Sequence, residues 1–327
     1  MKTMQKPLIL LVVMLILTIL QPRAFPTINN FKSILLAISI YGIMVCGAIY
    51  PVLLGGIDLS VGAVAALSGA CTVLTVIRFD YSTLGVVLGI LLGLSSGVIV
   101  GLMHGLIVSN FNVPPFLITL ASLNIVYGVT QLLTNNLVIS CLKPLSFTFI
   151  GGGKWLGIPF PIYILILMGI ISYFILDKTV LGRKVYSVGG NPVASTLSGV
   201  SVGGITVTSY IFSGFTSALA GVVLASMNQQ AIAKAAQGYE SDVLTAIVVG
   251  GASLMGGEGS IQGALFGALL VGLLNNGLRL MGVPAIYHPV VKGIVIIAAV
   301  AFDLKSKNRN SGLTRGKKLP LRTGATR

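Results

Sequence analysis

The chain has 327 residues, of which 55% are apolar and only 9% are charged, and its formal net charge at pH 7 is +14. Soluble domains carry about 25% charged residues, because a closed core needs a hydrated surface, so a single soluble core is excluded. The composition predicts an all-α polytopic membrane protein. At roughly 20 residues per helical span, the length allows about ten transmembrane helices.

Uncharged runs between prolines, glycines and charged residues predict the spans in chain order. They lie near residues 8–20, 34–54, 59–77, 84–108, 116–134, 158–176, 205–227, 242–254, 261–280 and 286–302. The first and the eighth are short for a full crossing, so we expect them to be tilted, broken or re-entrant. No small-x-small cleavage site follows the first apolar run, which predicts an uncleaved span rather than a signal peptide.

Positive charge is concentrated at the C-terminal end and in one loop. Residues 303–327 contain eight lysines and arginines against Asp303 alone, and the loop at 177–204 contains three basic residues. Positively charged loops stay on the cytoplasmic side, and ten spans place both termini on one side. We therefore expect residues 1–302 to form the membrane domain, with the N-terminus, the 177–204 loop and the basic 303–327 tail in the cytoplasm. The tail is expected to determine topology rather than to bind nucleic acid.

Glycine forms two patterns in the sequence. In the fourth predicted span it recurs at every fourth residue, at Gly85, Gly89, Gly93, Gly97, Gly101 and Gly105. This spacing lays a strip without side chains along one helix face, where a second helix can approach to backbone distance, so we expect a packing seam. The second pattern is a similarity between residues 55–59, GGIDL, and residues 250–254, GGASL. Internal repeats of transporters produce similarities of this kind.

Asp58 lies between two apolar runs and is the first acidic residue of the chain. A lone carboxylate is costly to bury in a membrane and usually faces a cavity, a partner or backbone amides. Two interpretations stay open at this point. Either Asp58 or Ser60 caps the helix that follows, or these side chains line a pathway through the membrane.

The remaining polar residues of the predicted spans are scattered over several helices. Among them, Asn124, Asn275 and Asn276 are candidates for a pathway lining. For the last two, a hydrogen bond between neighbouring helices is as compatible with the sequence as exposure to water. Glu240 and Asp242 precede a span, so they are expected either to cap it or to bind a partner.

The sequence predicts no catalytic, cofactor or metal site. Its three cysteines lack paired spacing, and its two histidines belong to no HExxH pattern. The segment from Gly151 to Lys154 is superficially similar to a phosphate-binding loop, but Thr148 replaces the required glycine and Trp155 the required serine or threonine. We therefore expect the chain neither to catalyse a reaction nor to bind ATP through such a loop.

Several motifs, in order along nearly the whole chain, resemble those of the ribose-type permeases of bacterial sugar ABC importers. They are GGIDLSVG at 55–62, VPPFLITL at 113–120, a GR…GGN loop at 182–191, GYE at 238–240 followed by Asp242, VVGG at 248–251, GG at 256–257, GS at 259–260, NNGL at 275–278 and VKG at 291–293. The chain departs from the family's pattern at His104, where Asn is usual, and at Glu258, where Arg is usual.

The resemblance implies a permease subunit of about ten helices in the bacterial inner membrane that acts by alternating access. It also implies three partners: a cytoplasmic ATP-binding subunit, a second permease subunit that is identical or paralogous, and a periplasmic or lipid-anchored binding protein that delivers a monosaccharide. The candidate pathway residues are Asp58, Ser60, Asn124, Asn275 and Asn276. The family's ATPase-coupling loop corresponds to about 182–201, where the candidate coupling residues are Gly182, Arg183, Gly189, Gly190, Asn191, Ser198 and Gly199.

Other functions stay open from the sequence. An ion-coupled secondary transporter would also be polytopic, but it would work without an ATPase. A pentose, a hexose, or a related polyol, nucleoside or signalling molecule is compatible with the sequence as cargo. A membrane-bound enzyme or scaffold would need a reactive cluster or a soluble module, and the sequence has neither.

Overall fold

The computed structural model describes residues 5–111, 113–291 and 293–294, and these residues form a helical bundle. The first half contains the helices α1 (Gln5–Leu20), α2 (Ile28–Leu53), α3 (Val61–Arg78), α4 (Thr83–Phe111), α5 (Pro115–Thr134), α6 (Leu145–Gly152) and α7 (Phe160–Lys178). The second half contains α8 (Val180–Gly190), α9 (Pro192–Leu197), α10 (Val202–Asn228), α11 (Tyr239–Val249), α12 (Ile261–Leu280) and a 3₁₀ turn at Ala285–Tyr287. Four two-residue strands form two antiparallel pairs: β1 (Ile139–Ser140) with β4 (Gln230–Ala231), and β2 (Lys154–Trp155) with β3 (Ile158–Pro159).

Seven of the described helices, α2, α3, α4, α5, α7, α10 and α12, are long and apolar enough to cross a membrane. Each overlaps a span predicted from the sequence, but the predicted total of about ten is not confirmed. The apolar part of α1 is only Leu10–Leu20. The span predicted at 286–302 lies mostly outside the described residues.

The element predicted at 242–254, which is expected from the sequence to be tilted, broken or re-entrant, ends five residues earlier in the structure. Its helix, α11, ends at Val249 after 11 residues, which gives a length of roughly 16 Å against a hydrocarbon core of about 30 Å. Beyond Val249 the chain enters a glycine-rich loop in which Gly251, Gly256 and Gly257 have positive φ angles of 95°, 85° and 74°. A helix cannot continue through such angles, so apolar composition alone overestimated this element.

Helix α2 lies at the centre of the bundle. Its residues from Ile38 to Leu53 are all buried, which is typical of a helix that is covered on every side. On one side the ring of Tyr50 packs against Phe212 of α10, with 4.7 Å between the ring centroids. On another side the Ser172 hydroxyl of α7 donates a hydrogen bond of 2.7 Å to the Cys46 carbonyl. Helices α7 and α10 are therefore held directly against α2.

The glycine strip of α4 is a packing seam, as the sequence predicts. A Cβ at Gly93 would overlap the Thr72 hydroxyl of α3, and a Cβ at Gly97 would overlap the Gly214 carbonyl oxygen of α10. On the opposite face of α4, large apolar side chains such as Leu84 and Ile99 are exposed. Helix α4 therefore approaches both neighbours at backbone distance through its glycines and presents its leucines and isoleucines outward.

The connecting segments lie at two opposite ends of the bundle. At one end, the loop 54–60 contacts the loop 250–260 through Gly55 and Met255, and Gly189 of α8 lies against the Leu53 carbonyl that ends α2. The Gly257 amide donates to the same carbonyl at 2.8 Å; we call this the α8 end. At the other end, β1 pairs with β4 and the start of α2 lies beside the last turns of α12, where Asn30 and Asn276 are hydrogen-bonded; we call this the β1 end.

We expect Gly97→Ala to destabilise the bundle, because the added methyl group has no space against the Gly214 carbonyl. Overpacking of this kind costs roughly 1–3 kcal/mol. The measurement is the thermal unfolding midpoint of the purified protein in detergent. Gly128→Ala is the matched control, since a Cβ at Gly128 in α5 meets no atom within 4 Å. Equal unfolding midpoints for the two variants would contradict the interpretation of the α4 glycine strip as a packing seam.

Candidate translocation and coupling sites

Asp58 lies in the loop between α2 and α3, and its side chain is only 7% exposed. Oδ1 accepts hydrogen bonds from the Ser60 amide at 3.0 Å and the Ser60 hydroxyl at 2.7 Å. Oδ2 accepts a hydrogen bond of 2.7 Å from the Ser213 hydroxyl of α10, which lies 155 residues further along the chain. Three donors therefore offset part of the cost of burying this carboxylate.

These bonds refine the helix-cap interpretation of Asp58 and Ser60. Ser60 is the N-cap residue of α3, but its side chain makes no capping bond to the first turn; it donates to Asp58 instead. The carboxylate fixes the geometry of the loop just before α3 and ties that loop to α10 through Ser213. No sequence pattern indicates Ser213, because a serine inside an apolar run is not distinctive.

Two further polar side chains are buried beside this loop. His104 of α4 and Tyr210 of α10 are each 1% exposed, and their ring centroids are 6.1 Å apart at an interplanar angle of 81°. Both ring nitrogens of His104 lack a hydrogen-bond partner among the described residues, and so does the hydroxyl of Tyr210. We call Asp58, Ser60, Ser213, His104 and Tyr210 the Asp58 cluster.

The five candidate pathway residues do not form a single cluster within this chain. Asp58 and Ser60 are buried at the α8 end, whereas Asn124 is exposed on α5 and its amide donates to the Leu120 carbonyl of its own helix at 3.1 Å. Asn275 and Asn276 lie in the last turns of α12 near the β1 end.

Asn276 ties two helices together at the β1 end. Its amide nitrogen donates to the Asn30 side-chain oxygen at 2.8 Å, and the Asn30 amide nitrogen donates to the Asn276 oxygen at 3.3 Å. Asn30 also donates to the Phe25 carbonyl at 3.0 Å. This exchange of amide hydrogen bonds corresponds to the helix-joining alternative left open by the sequence. The neighbouring Asn275 lines a shallow depression together with Asp242 and Thr245.

The acidic pair lies at the start of α11. Both carboxylate oxygens of Glu240 accept from the Gly238 amide, at 3.0 and 3.2 Å, and Asp242 is buried in the same first turn. Negative charge near a helix N-terminus is stabilised by the unpaired amides there. The arrangement agrees with the capping role that the sequence left open for this pair.

The candidate coupling loop folds into α8 and α9. Asn191 separates the two helices and caps α9, since its side chain accepts from the Ala194 amide at 2.9 Å. Gly182 has no space for a side chain against the Leu176 carbonyl at the end of α7, whereas Gly190 faces open space. The Asn191–Pro192 step ends α8 and begins α9, because the residue before a proline is disfavoured in helical conformation.

Three other coupling candidates lie on the outer side of this segment. Arg183, Ser198 and Gly199 are exposed, and Gly199 has a positive φ of 79°. Sequence reasoning missed two apolar residues beside them: Val193 and Leu197, one helical turn apart on α9, are 71% and 85% exposed. A six-residue helix with its large apolar side chains in solvent is typical of a surface that a partner covers.

Comparisons with known proteins agree over most of the chain. Residues 30–300 match the family described as "Branched-chain amino acid transport system / permease component". The chain is 41% identical to the ribose import permease protein RbsC of Bacillus subtilis over 90% of its own length and 91% of that protein, and 38% identical to that of Escherichia coli over 93% and 94%. It is 33% identical to the L-arabinose ABC transporter permease protein AraH of Azospirillum brasilense over 88% and 84%. No solved structure matches.

We expect Asp58→Leu and Asp58→Asn to differ in stability. Leucine leaves the donors of Ser60 and Ser213 buried without an acceptor, at about 1–3 kcal/mol for each unsatisfied group. Asparagine retains one acceptor oxygen for Ser60, and its amide donates to the Ser213 oxygen, so its unfolding midpoint should stay close to wild type. The measurement is thermal unfolding in detergent.

The asparagine variant also separates the two interpretations of Asp58. If the carboxylate only fixes the loop, Asp58→Asn retains solute uptake in proteoliposomes together with its stability. If the negative charge lines the pathway, uptake falls while the unfolding midpoint stays unchanged. Equal destabilisation by leucine and asparagine would contradict the hydrogen-bond assignment.

Proposed function

The chain belongs to the family of transport-system permease components, and on this basis we propose that it is the membrane-spanning subunit of an ATP-driven ABC importer for a monosaccharide. The observation that carries the proposal is the similarity to ribose import permeases over nine tenths of both chains. The permease itself catalyses no bond chemistry. It alternates between outward-facing and inward-facing states while a partner ATPase hydrolyses ATP.

We infer a pentose as the first cargo to test. The family description names branched-chain amino acids, but the relatives that share most of the chain's length are named for ribose and arabinose, which are both five-carbon sugars. These names favour a sugar over an amino acid. They also favour an ATP-dependent importer over the ion-coupled secondary transporter, because one of them is named an ABC transporter permease.

The proposed partners correspond to the two ends of the bundle. We propose that a cytoplasmic ATP-binding subunit docks on α8 and α9, where Val193 and Leu197 provide exposed apolar anchors beside the basic residues Arg183 and Lys184. A binding protein that delivers the sugar docks at the β1 end. A second permease subunit, identical or paralogous, completes the pathway, and the exposed amide of Asn124 is a candidate for the surface between the two subunits.

The proposed orientation places the α8 end and both termini in the cytoplasm of a bacterium, with the helices spanning the inner membrane. Among the described residues the β1 end carries more basic side chains than the α8 end: Arg23, Lys32, Arg78, Lys143, Lys154, Lys234 and Arg279. The orientation therefore depends on the eight basic residues of the 303–327 tail, since positive charge near the ends of spans determines which side stays inside.

The decisive experiment is the ATPase activity of proteoliposomes that contain this chain and a candidate partner ATPase. We expect a candidate sugar-binding protein to stimulate hydrolysis when it is loaded with ribose or arabinose and not when it is empty, because the loaded form favours one transport state. Sugar uptake that requires no ATPase would contradict the proposal and favour an ion-coupled transporter. Stimulation of ATP hydrolysis by leucine or isoleucine instead of a sugar would contradict the proposal that the cargo is a sugar.

We expect Leu197→Asp to weaken binding of the ATPase by at least about tenfold, since a charge replaces an apolar anchor at the centre of the proposed contact. The measurement is recovery of the ATPase with the tagged permease. Leu156→Asp is the matched control, because Leu156 is 83% exposed against 85% for Leu197 but lies between β2 and β3 at the opposite end. Equal loss of the ATPase in both variants would contradict docking on α9.

A further inference from the structure

Two glycine-rich loops of similar sequence meet at the α8 end. The loop 54–60 follows α2 and the loop 250–260 follows α11. Their main chains are in contact: a Cβ at Gly55 would lie 3.3 Å from the Met255 carbonyl oxygen, and a Cβ at Gly256 would lie 2.8 Å from the Gly55 amide nitrogen. Just before the first loop, the Gly257 amide donates to the carbonyl of Leu53, the last residue of α2, at 2.8 Å. The two loops that interrupt the helical bundle at this end are therefore in direct backbone contact.

Gly189, in the last turn of α8, packs against the same Leu53 carbonyl. A Cβ at Gly189 would overlap that oxygen and would lie 2.7 Å from the Gly257 amide nitrogen. The next residue, Gly190, is in a different environment, because a Cβ there meets nothing within 4 Å. The absence of a side chain is thus required at 189 and not at 190, and one carbonyl oxygen is shared by three segments of the chain.

A side chain of α8 makes a second connection to the loop 250–260. The Tyr186 hydroxyl donates a hydrogen bond of 3.0 Å to the Gly259 carbonyl. Burial, and to a lesser extent the nearby Asp177, raises the pKa of the Tyr186 hydroxyl, so the group stays protonated and able to donate throughout the physiological pH range. We call the contacts among Gly189, Leu53, Gly257, Tyr186 and Gly259 the Gly189 junction.

The loop 54–60 connects the Gly189 junction to the membrane helices α5 and α10. The Ile57 carbonyl accepts a hydrogen bond of 3.0 Å from the Thr119 hydroxyl of α5, and Asp58 is bonded to Ser213 of α10. A shift of the Leu53 carbonyl therefore reaches two membrane helices within five residues. Close backbone contacts transmit such shifts because packed protein interiors have low compressibility.

We infer that Gly189 is a positioning residue that transmits movement of α8 to both glycine-rich loops and, through the loop 54–60, to the Asp58 cluster. The inference rests on the proposed function, in which ATPase closure moves α8 and α9. The outer residues of α9 then hold the ATPase, and Gly189 carries the displacement inward. A side chain at 189 would separate α8 from the Leu53 carbonyl without altering the outer surface.

The test is the number of sugar molecules imported per ATP hydrolysed in the reconstituted complex of permease, ATPase and sugar-loaded binding protein. We expect Gly189→Ala to retain the ATPase and to hydrolyse ATP, but to import roughly fivefold fewer sugars per ATP. Gly128→Ala is the control and should keep the wild-type ratio, because Gly128 lies in α5 outside the coupling segment and a Cβ there meets no atom within 4 Å. A wild-type ratio in Gly189→Ala, or loss of ATPase binding by that variant, would overturn the inference.

Two further variants separate transmission from stability. Gly97→Ala, in the α4 seam, should lower the amount of folded complex but keep the wild-type ratio in the complexes that survive. Tyr186→Phe removes the hydrogen bond to Gly259 and adds no atom. It therefore tests transmission through the Gly189 junction if Gly189→Ala fails to fold. We expect Tyr186→Phe to import about twofold fewer sugars per ATP, and an unchanged ratio would overturn the inference.

The outcome distinguishes this inference from the proposed function. If the wild-type complex is not stimulated by any sugar-loaded binding protein, the proposed function fails and the inference fails with it. If the wild-type complex is stimulated and Gly189→Ala keeps its ratio, only the role of Gly189 is overturned.

Discussion

Close backbone packing at glycine is the constraint on which the rest of this structure depends. Helices in a bilayer gain no hydrophobic free energy by leaving lipid for one another, so they associate through van der Waals contact and hydrogen bonds. The chain supplies these contacts with glycines: Gly97 faces Gly214 between α4 and α10, Gly221 faces Ala65 between α10 and α3, and Gly267 faces Ala246 between α12 and α11. Helix α10 therefore lies at backbone distance from two neighbours, and its Ser213 reaches the loop that carries Asp58.

The Asp58 cluster shows what this tight packing costs. Asp58 is satisfied by three donors, but the ring nitrogens of His104 and the hydroxyl of Tyr210 are buried without a partner among the described residues. A buried polar group without a hydrogen bond costs about 1–3 kcal/mol. Any rearrangement that brings water or a hydroxyl group to these atoms recovers that free energy. The Asp58 cluster thus contributes less to the stability of this state than a fully bonded cluster would.

The sequence predicts the seven long helices because each contains an uncharged run that is bounded by charged residues, prolines or glycines. It overestimates α11, since half of a broken helix has the same apolar composition as a full span, and only the backbone shows the positive φ angles at Gly251 and Gly256. It also locates Asp58 and Asn276 without their partners. Ser213 and Asn30 lie 155 and 246 residues away along the chain, and no local pattern carries that information.

Glycines lie against backbone carbonyls both in the α4 seam and at the Gly189 junction. The surroundings of the two contacts differ. In the α4 seam the partners are regular helices, whose internal hydrogen bonds hold the backbone in place. At the Gly189 junction the partners are loops in which Gly55, Gly256 and Gly257 have positive φ angles, and such loops change conformation at lower cost than a helix does. The same steric requirement therefore makes the seam a fixed contact and the junction a place where movement of α8 is converted into movement of the loop before α3.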